Sequence, residues 1–207
     1  DRAMNGTEDK ESENLKLFLC GDVMTGRGVD QALPYSVEPV LYESYVKDAR
    51  AYLELAERQN GNINTPVSFD YIWGDALEVW RKNNPDIKLM NLETSITTHS
   101  EPWPGKGIHY RMHPQNVEVF TAAGIDHCSL ANNHTLDWSR PGLLETMETL
   151  RSANIQFSGV GINKFKAGEP SVFQTKKGRV LVFSVGSRTS GILLYLDAEE
   201  HRPGVNF

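Results

Sequence analysis

Cysteine, long apolar runs and clustered basic residues are all scarce in this sequence, and each scarcity excludes something. Only Cys20 and Cys128 occur in 207 residues, so no disulfide framework holds the chain together. Each lies inside an apolar, strand-like run, and both are expected as free thiols packed like small apolar side chains on neighbouring strands, which leaves the redox compartment open. No apolar run approaches the ~20 residues that a membrane helix needs. The segment DRAMNGTEDKESENLK lacks the apolar centre of a signal peptide. Residues 1–14 are expected to form a disordered polar tail and residues 15–207 one domain. With Asp1 at position 1, anchoring and localisation stay open. Acidic residues outnumber basic ones, 27 to 21, for a net charge of −6, and no lysine- or arginine-rich run offsets this. Nucleic acid is therefore not an expected partner. Neither GxxxxGK[ST] nor HExxH is present, and Gly159-Val160-Gly161 lacks the third glycine of a dinucleotide loop.

What is present is an alternation of apolar runs and helical stripes. Residues 15–20 and 87–92 read as buried strands, with a third in the run that begins at Ile125 and another in residues 155–161. Leu41, Tyr45, Ala49, Tyr52, Leu53 and Ala56 recur at helical spacing and predict a helix over residues 38–60. Asp70 is the expected N-cap of a helix reaching Lys82, with Ile72, Trp73, Ala76, Leu77 and Trp80 on its core face. A short helix is expected over residues 114–123, closed by Gly124. A longer one is capped by Ser139, carries Pro141 in its first turn, and turns Leu143, Leu144, Met147 and Leu150 to the core. Residues 171–175 and 179–185 flank a Lys177-Gly178 turn as a hairpin. The order of elements places the chain in the α/β class.

Chemistry concentrates where the strands end. Gly21-Asp22 follows the first, Asn91-Leu92-Glu93 the second, and Asn132-Asn133-His134 the third. Ligands of open α/β sheets gather beyond the carboxyl ends of strands, and amides and imidazoles are costly to bury without partners. Asp22, Asn91, Glu93 and Asn133 offer oxygen donors suited to a hard divalent cation (Mn, Fe, Mg or Zn). His134 could ligate as well or act as a general acid. The Pro- and Gly-rich segment 97–113 holds Lys106, Arg111 and His113; with Arg27 these are the candidates for holding an anionic substrate. The same residues also have ordinary structural uses, Asp and Asn in turns above all.

Five stretches, GDVMTGRGVDQ, NLETSIT, YRMHP, SLANNHTLDW and GLLETMETLRSANIQFSGVG, occur in this order. From Lys16 onward the chain resembles the bacterial capsule-synthesis (CapA-type) proteins associated with poly-γ-glutamate synthesis, a family similar to the calcineurin-like metallophosphoesterases. The resemblance implies a layered α/β/β/α sandwich, here lacking its C-terminal part. It also implies a capsule or poly-γ-glutamate function with metal-dependent hydrolysis of an anionic substrate. An anionic small molecule or polymer and capsule-synthesis subunits are the implied partners, in a bacterial, cell-surface or cytoplasmic setting. By motif, Asp22 and Asn133 match metal ligands, while Asn91 or Glu93 takes the place of a bridging Asp. His134 matches the group that assists the leaving oxygen, Asp137 stands behind it, and Arg111 matches an anion-contacting position. Met24 stands where metallophosphoesterases have a ligand histidine, and only His201 follows His134. The alternative is therefore a non-enzymatic assembly or polymer-binding subunit that uses residues 97–113.

Overall fold

The computed structural model describes residues 14–207; the expected tail, Asn14 apart, lies outside the described residues. Four strands form the central sheet: β1 (Leu17–Val23), β2 (Ile87–Leu92), β5 (His127–Ser129) and β6 (Gln156–Ser158). They lie side by side in that order, all parallel. Between β2 and β5 run β3 (Ser95–Ile96) and β4 (Arg111–Met112), paired parallel to each other. The segment 97–113, expected to be irregular throughout, is irregular over residues 97–110 and then forms β4.

Side-chain alternation sorts the sheet into two faces. Phe18, Met90, Cys128 and Phe157 point into the main core, where they meet the helices. These are α1 (Gly28–Ala32), α2 (Arg50–Asn60), α3 (Ala76–Asn83), α4 (Glu118–Ala122) and α5 (Ser139–Ser152). The Phe18 ring meets Trp80 edge-on at 4.8 Å, and Val119, Phe120, Leu143, Met147 and Leu150 are fully enclosed. On the opposite face lie Leu17 and Leu19, Ile87 and Leu89, His127 and Ser158. The antiparallel hairpin of β8 (Ser171–Thr175) and β9 (Gly178–Val182) covers part of it. Phe173 meets the His127 ring edge-on, and Ser184 bonds Ser158 at 2.7 Å. The cover stops short of β1, where Leu17 and Leu19 remain 45% and 69% exposed. Beyond β6, β7 (Val160–Gly161) pairs with β10 (Gly204–Val205), and α6 (Lys164–Ala167) lies between β7 and β8 in sequence.

Several elements differ from expectation, each for a local reason. Only residues 50–60 of the anticipated 38–60 helix are helical. Residues 38–49 instead fold back on themselves, with Leu41 N–H on Lys47 O and Ala49 N–H on Pro39 O. The Asp48 carboxylate accepts the Arg50 N–H at 2.9 Å, the local capping that stops a helix from extending backwards. Tyr45 is consequently exposed. After Asp70 comes a single 3₁₀ turn, Tyr71–Trp73, ended by Gly74 at φ 50°, although the Ile72 to Trp80 stripe does face the core. Ser139 does not cap α5. Its φ is 62° and its hydroxyl donates to Glu101 O; Leu144 is exposed. Residues 114–117 form a 3₁₀ turn before α4. Gly159, at φ 91°, divides the expected 155–161 strand into β6 and β7. The two thiols are free but not on neighbouring strands: Met90 of β2 stands between Cys20 and Cys128. Two strand spacings, about 9.6 Å, exceed the reach of a disulfide.

Candidate functional site

Because β1, β2 and β5 are adjacent and parallel, their carboxyl ends open at one edge, and the three polar clusters meet there. A break in register after Cys20 and a left-handed Asp22 (φ 53°) end β1 with this carboxylate exposed. Such a backbone is uncommon for a non-glycine residue and clusters at functional positions. Glu93 follows β2, its N–H bonded to Val23 O at 3.0 Å.

A directional relay of amides joins the three ends. The backbone N–H of His134 can only donate, and it donates to Asn132 Oδ1 at 3.0 Å. Asn132 Nδ2 therefore faces Asn91 Oδ1 (3.0 Å) and Leu92 O (2.9 Å). Asn91 Nδ2 is thereby turned towards Asp22 Oδ1 at 3.0 Å and Glu93 Oε1 at 3.3 Å. Two carboxylates converge on one donor whose orientation is fixed by the main chain.

Beside this relay stands His134, buried, with Nδ1 2.7 Å from Asp137 Oδ2. Nε2 has no protein partner among the described residues. Asp137 is fully buried and is the hub of the turn. It also receives the Tyr110 N–H at 2.6 Å and the Lys106 ammonium, while its carbonyl accepts the Trp103 N–H at 2.7 Å. The 97–110 segment is thus fastened over the β5 turn. Tyr110 stacks on the His134 ring with centroids 4.0 Å apart; burial raises its phenol pKa.

The four residues expected to hold an anion each have an internal partner. Arg27 pairs with buried Glu43 at 2.5 Å and lies between the rings of Tyr52 and Tyr110, 4.9 and 4.7 Å from their centres. Lys106 bonds Asp137 and Asn133 O. Arg111 is buried, with its guanidinium 3.8 Å from the Trp138 ring centre and donating to His99 O and Glu38 O. Burial lowers its pKa. The His113 imidazole accepts the Gln115 N–H, capping the 3₁₀ turn, and stacks on Tyr35. Among the described residues no polar contact joins Arg111 or His113 to the strand-end cluster.

For a metal, the donor set fits in part. Asp22 and Glu93 converge as cation ligands do, and the Asn133 amide has no protein partner among the described residues. No group of three or more His, Cys, Asp or Glu side chains suited to a metal occurs among the described residues. Met24 accepts the Gly26 N–H through its sulfur at 3.2 Å and lines an apolar cavity of about 310 Å³ with Tyr52, Leu53 and Ile72. These oxygen donors suit a single hard cation better than a metal pair.

One contributor was missed in the sequence. The 187–191 turn, SRTSG, approaches Asn133 at Gly191: a Cβ added there would lie 3.6 Å from that of Asn133.

A model of the family "Bacterial capsule synthesis protein PGA_cap" matches residues 16–206. The chain belongs to this family. It is 44% identical over 192 residues to a protein of Mycobacterium tuberculosis named "Probable polyglutamine synthesis accessory protein", in both the CDC 1551 and the H37Rv strains. That match covers 92% of this chain and 50% of the relative. "Capsule biosynthesis protein CapA" of Bacillus anthracis is 25% identical over 203 residues, covering 98% of this chain and 41% of that protein. The chain thus spans about half the length of the curated relatives it matches.

Proposed function

We propose that the chain serves capsule or poly-γ-glutamate synthesis and that its strand-end cluster is a hydrolytic centre for an anionic substrate. The observation that carries this is the meeting of Asp22, Asn91 and Glu93 with an Asp137-oriented His134 at one sheet edge. Asp22 and Glu93, with Asn91 and Asn133 beside them, would hold a divalent cation (Mn, Fe, Mg or Zn). Such a cation supplies Lewis acidity towards a phosphoryl or acyl oxygen when bound. The chain's own contribution is proton management. Asp137 fixes the proton of His134 on Nδ1, so Nε2 accepts a proton from a nucleophile or, once protonated, delivers it to a leaving oxygen. Tyr110 holds the ring in plane and shields one face from water. Arg27, Lys106, Arg111 and His113 shape the surroundings through the partners described above. Partners would be a poly-γ-glutamate-like polymer or a smaller anion, and other capsule-synthesis subunits.

The family's layered α/β/β/α sandwich is proposed as the finer architecture. Its support is two sets of exposed apolar side chains: Leu17 and Leu19 on β1, and, turned away from the central sheet on and after β9, Leu181, Phe183 and Val185, which are 46%, 61% and 67% exposed.

The test is turnover of p-nitrophenyl phosphate and of γ-linked glutamate oligomers with added Mn²⁺. His134→Gln is expected to lower kcat by about 10²-fold or more, with Asp137→Asn close behind. Equal turnover by wild type and His134→Gln would defeat the proposal. A second reading is favoured by one specific observation: the Asn91 amide already satisfies both carboxylates, as in a non-enzymatic, anion-binding assembly subunit. In that case chelators leave polymer binding unchanged and no variant alters turnover.

A further inference from the structure

Four basic side chains on the segments that build the site, Arg27, Lys106, Arg111 and Arg140, have polar partners within the protein. Arg140 donates to Pro203 O and Tyr195 O at 3.0 Å each. Arg188 differs. Its side chain is exposed and makes no hydrogen bond, ion pair or ring contact among the described residues. It sits at the tip of the 187–191 turn. There the Ser187 hydroxyl lies 2.8 Å from that of Thr189 and 3.1 Å from that of Ser190. Both ends of the turn are anchored. Gly186 donates to Asn206 O at 2.8 Å and leaves no room for a side chain against Ile192, which is itself 2% exposed. The C-terminal end, Gly191, faces the Asn133 side chain, so that an added Cβ would just reach van der Waals contact with it, and the Asn133 amide likewise has no protein partner among the described residues. A tip that carries three hydroxyls and a guanidinium without a partner among the described residues, three positions before the Gly191 that faces Asn133, is matched to an oxyanion. Arg and Ser/Thr donors are the groups that bind carboxylate and phosphate oxygens.

We infer that the 187–191 turn is the anion-recognition element of the site, with Arg188 contacting a carboxylate or phosphate group of the substrate at the edge of Asn133. This deepens the proposed function and rests on the strand-end cluster being the reacting centre. The site would then divide its work: carboxylates and His134 on the sheet edge, and substrate charge on the turn. Arg188 is a substrate-binding residue in this scheme, not one that touches the reacting bond.

The experiment uses two probes, γ-linked triglutamate and inorganic phosphate, titrated into wild type, Arg188→Ala, Arg188→Lys and Asp22→Ala. Mn²⁺ affinity is measured on the same proteins. At least one probe is expected to bind wild type and to weaken about tenfold or more in Arg188→Ala, with partial recovery in Arg188→Lys, which keeps the charge without the fork. Binding of triglutamate alone identifies a carboxylate ligand, and of phosphate alone a phosphoryl one. Arg188→Ala should keep wild-type Mn²⁺ affinity. Probe affinity within twofold of wild type in Arg188→Ala, or no binding of either probe to wild type, overturns the inference. The two failures separate cleanly. Loss of Mn²⁺ binding in Asp22→Ala with unchanged anion affinity in Arg188→Ala sinks the turn and leaves the centre standing. The reverse pattern sinks the centre and leaves the turn.

Discussion

Asn91 presents its amide N–H to two carboxylates because a backbone N–H two residues beyond Asn132 permits no other orientation. That chain of constraints was invisible in the sequence, although its members were not. Asp22, Glu93 and His134 stood out because polar groups at the ends of apolar runs need partners. Arg27, Lys106 and Arg111 stood out equally, but composition cannot say whether a charge is already paired. Glu43, in a stretch expected to be helical, proved to be Arg27's partner. Arg188 had the reverse fate: an arginine among hydroxyls after a hairpin looks like an ordinary solvated turn until Gly191, three residues on, is found facing Asn133. A second buried histidine gives a prediction at this scale. His127 is fully enclosed, bonded through Nε2 to Ser158, with its pKa pushed down to about 4 by burial. The unfolded chain binds that proton more readily, so stability falls as pH drops from about 6.5 towards 4, by up to about 3 kcal/mol in all. Urea unfolding at pH 7 and pH 5 checks this; His127→Leu should flatten its part of the slope, and an unchanged slope in that variant would assign the loss elsewhere.

Among the elements, the parallel strands and α5 were readable because each has one strong period or a continuous apolar run. The 38–49 segment was not, because, of the residues that gave its helical spacing, Leu41 and Ala49 are buried in a fold-back closed by their own N–H groups on Lys47 O and Pro39 O, while Tyr45 is exposed. Gly159 illustrates how the element boundaries hold the site. Its φ is 91°, and a Cβ there would lie 2.7 Å from the Ala131 and Ser184 Cβ atoms and 2.9 Å from Ala131 N. Ala131 leads directly into Asn132. Gly159→Ala is expected to cost about 3 kcal/mol through left-handed strain and overpacking. Urea denaturation should show this, and a loss below about 0.5 kcal/mol would mean that the β6 to β7 corner is softer than its packing implies.

For the whole molecule, the α/β class followed from the order of elements, but the cover of the second sheet face did not. Leu181, Phe183 and Val185 alternate outward, away from the central sheet that Phe173 and Ser184 face, and Leu17 and Leu19 are exposed on β1; exposed apolar side chains of this kind are what proteins use for contact. If the layered sandwich is the family architecture here, Leu19→Gln with Phe183→Gln should leave this chain's stability within about 0.5 kcal/mol. In a chain of the relatives' full length the same pair should cost about 2 kcal/mol or more. Equal tolerance in both would speak against a covering layer. Among the described residues no helix is long and apolar enough to cross a membrane, and the net charge of −6 makes a local cation such as Arg188 the natural place for an anion to approach.

The most direct measurement is calorimetric titration of Mn²⁺ into the 207-residue chain, with Asp22→Ala alongside. Saturable binding of one ion, abolished in Asp22→Ala, is the expected result, with the Asn91 amide displaced from the two carboxylates. No binding, or binding that survives the loss of Asp22, would contradict a metal centre at the ends of β1, β2 and β5.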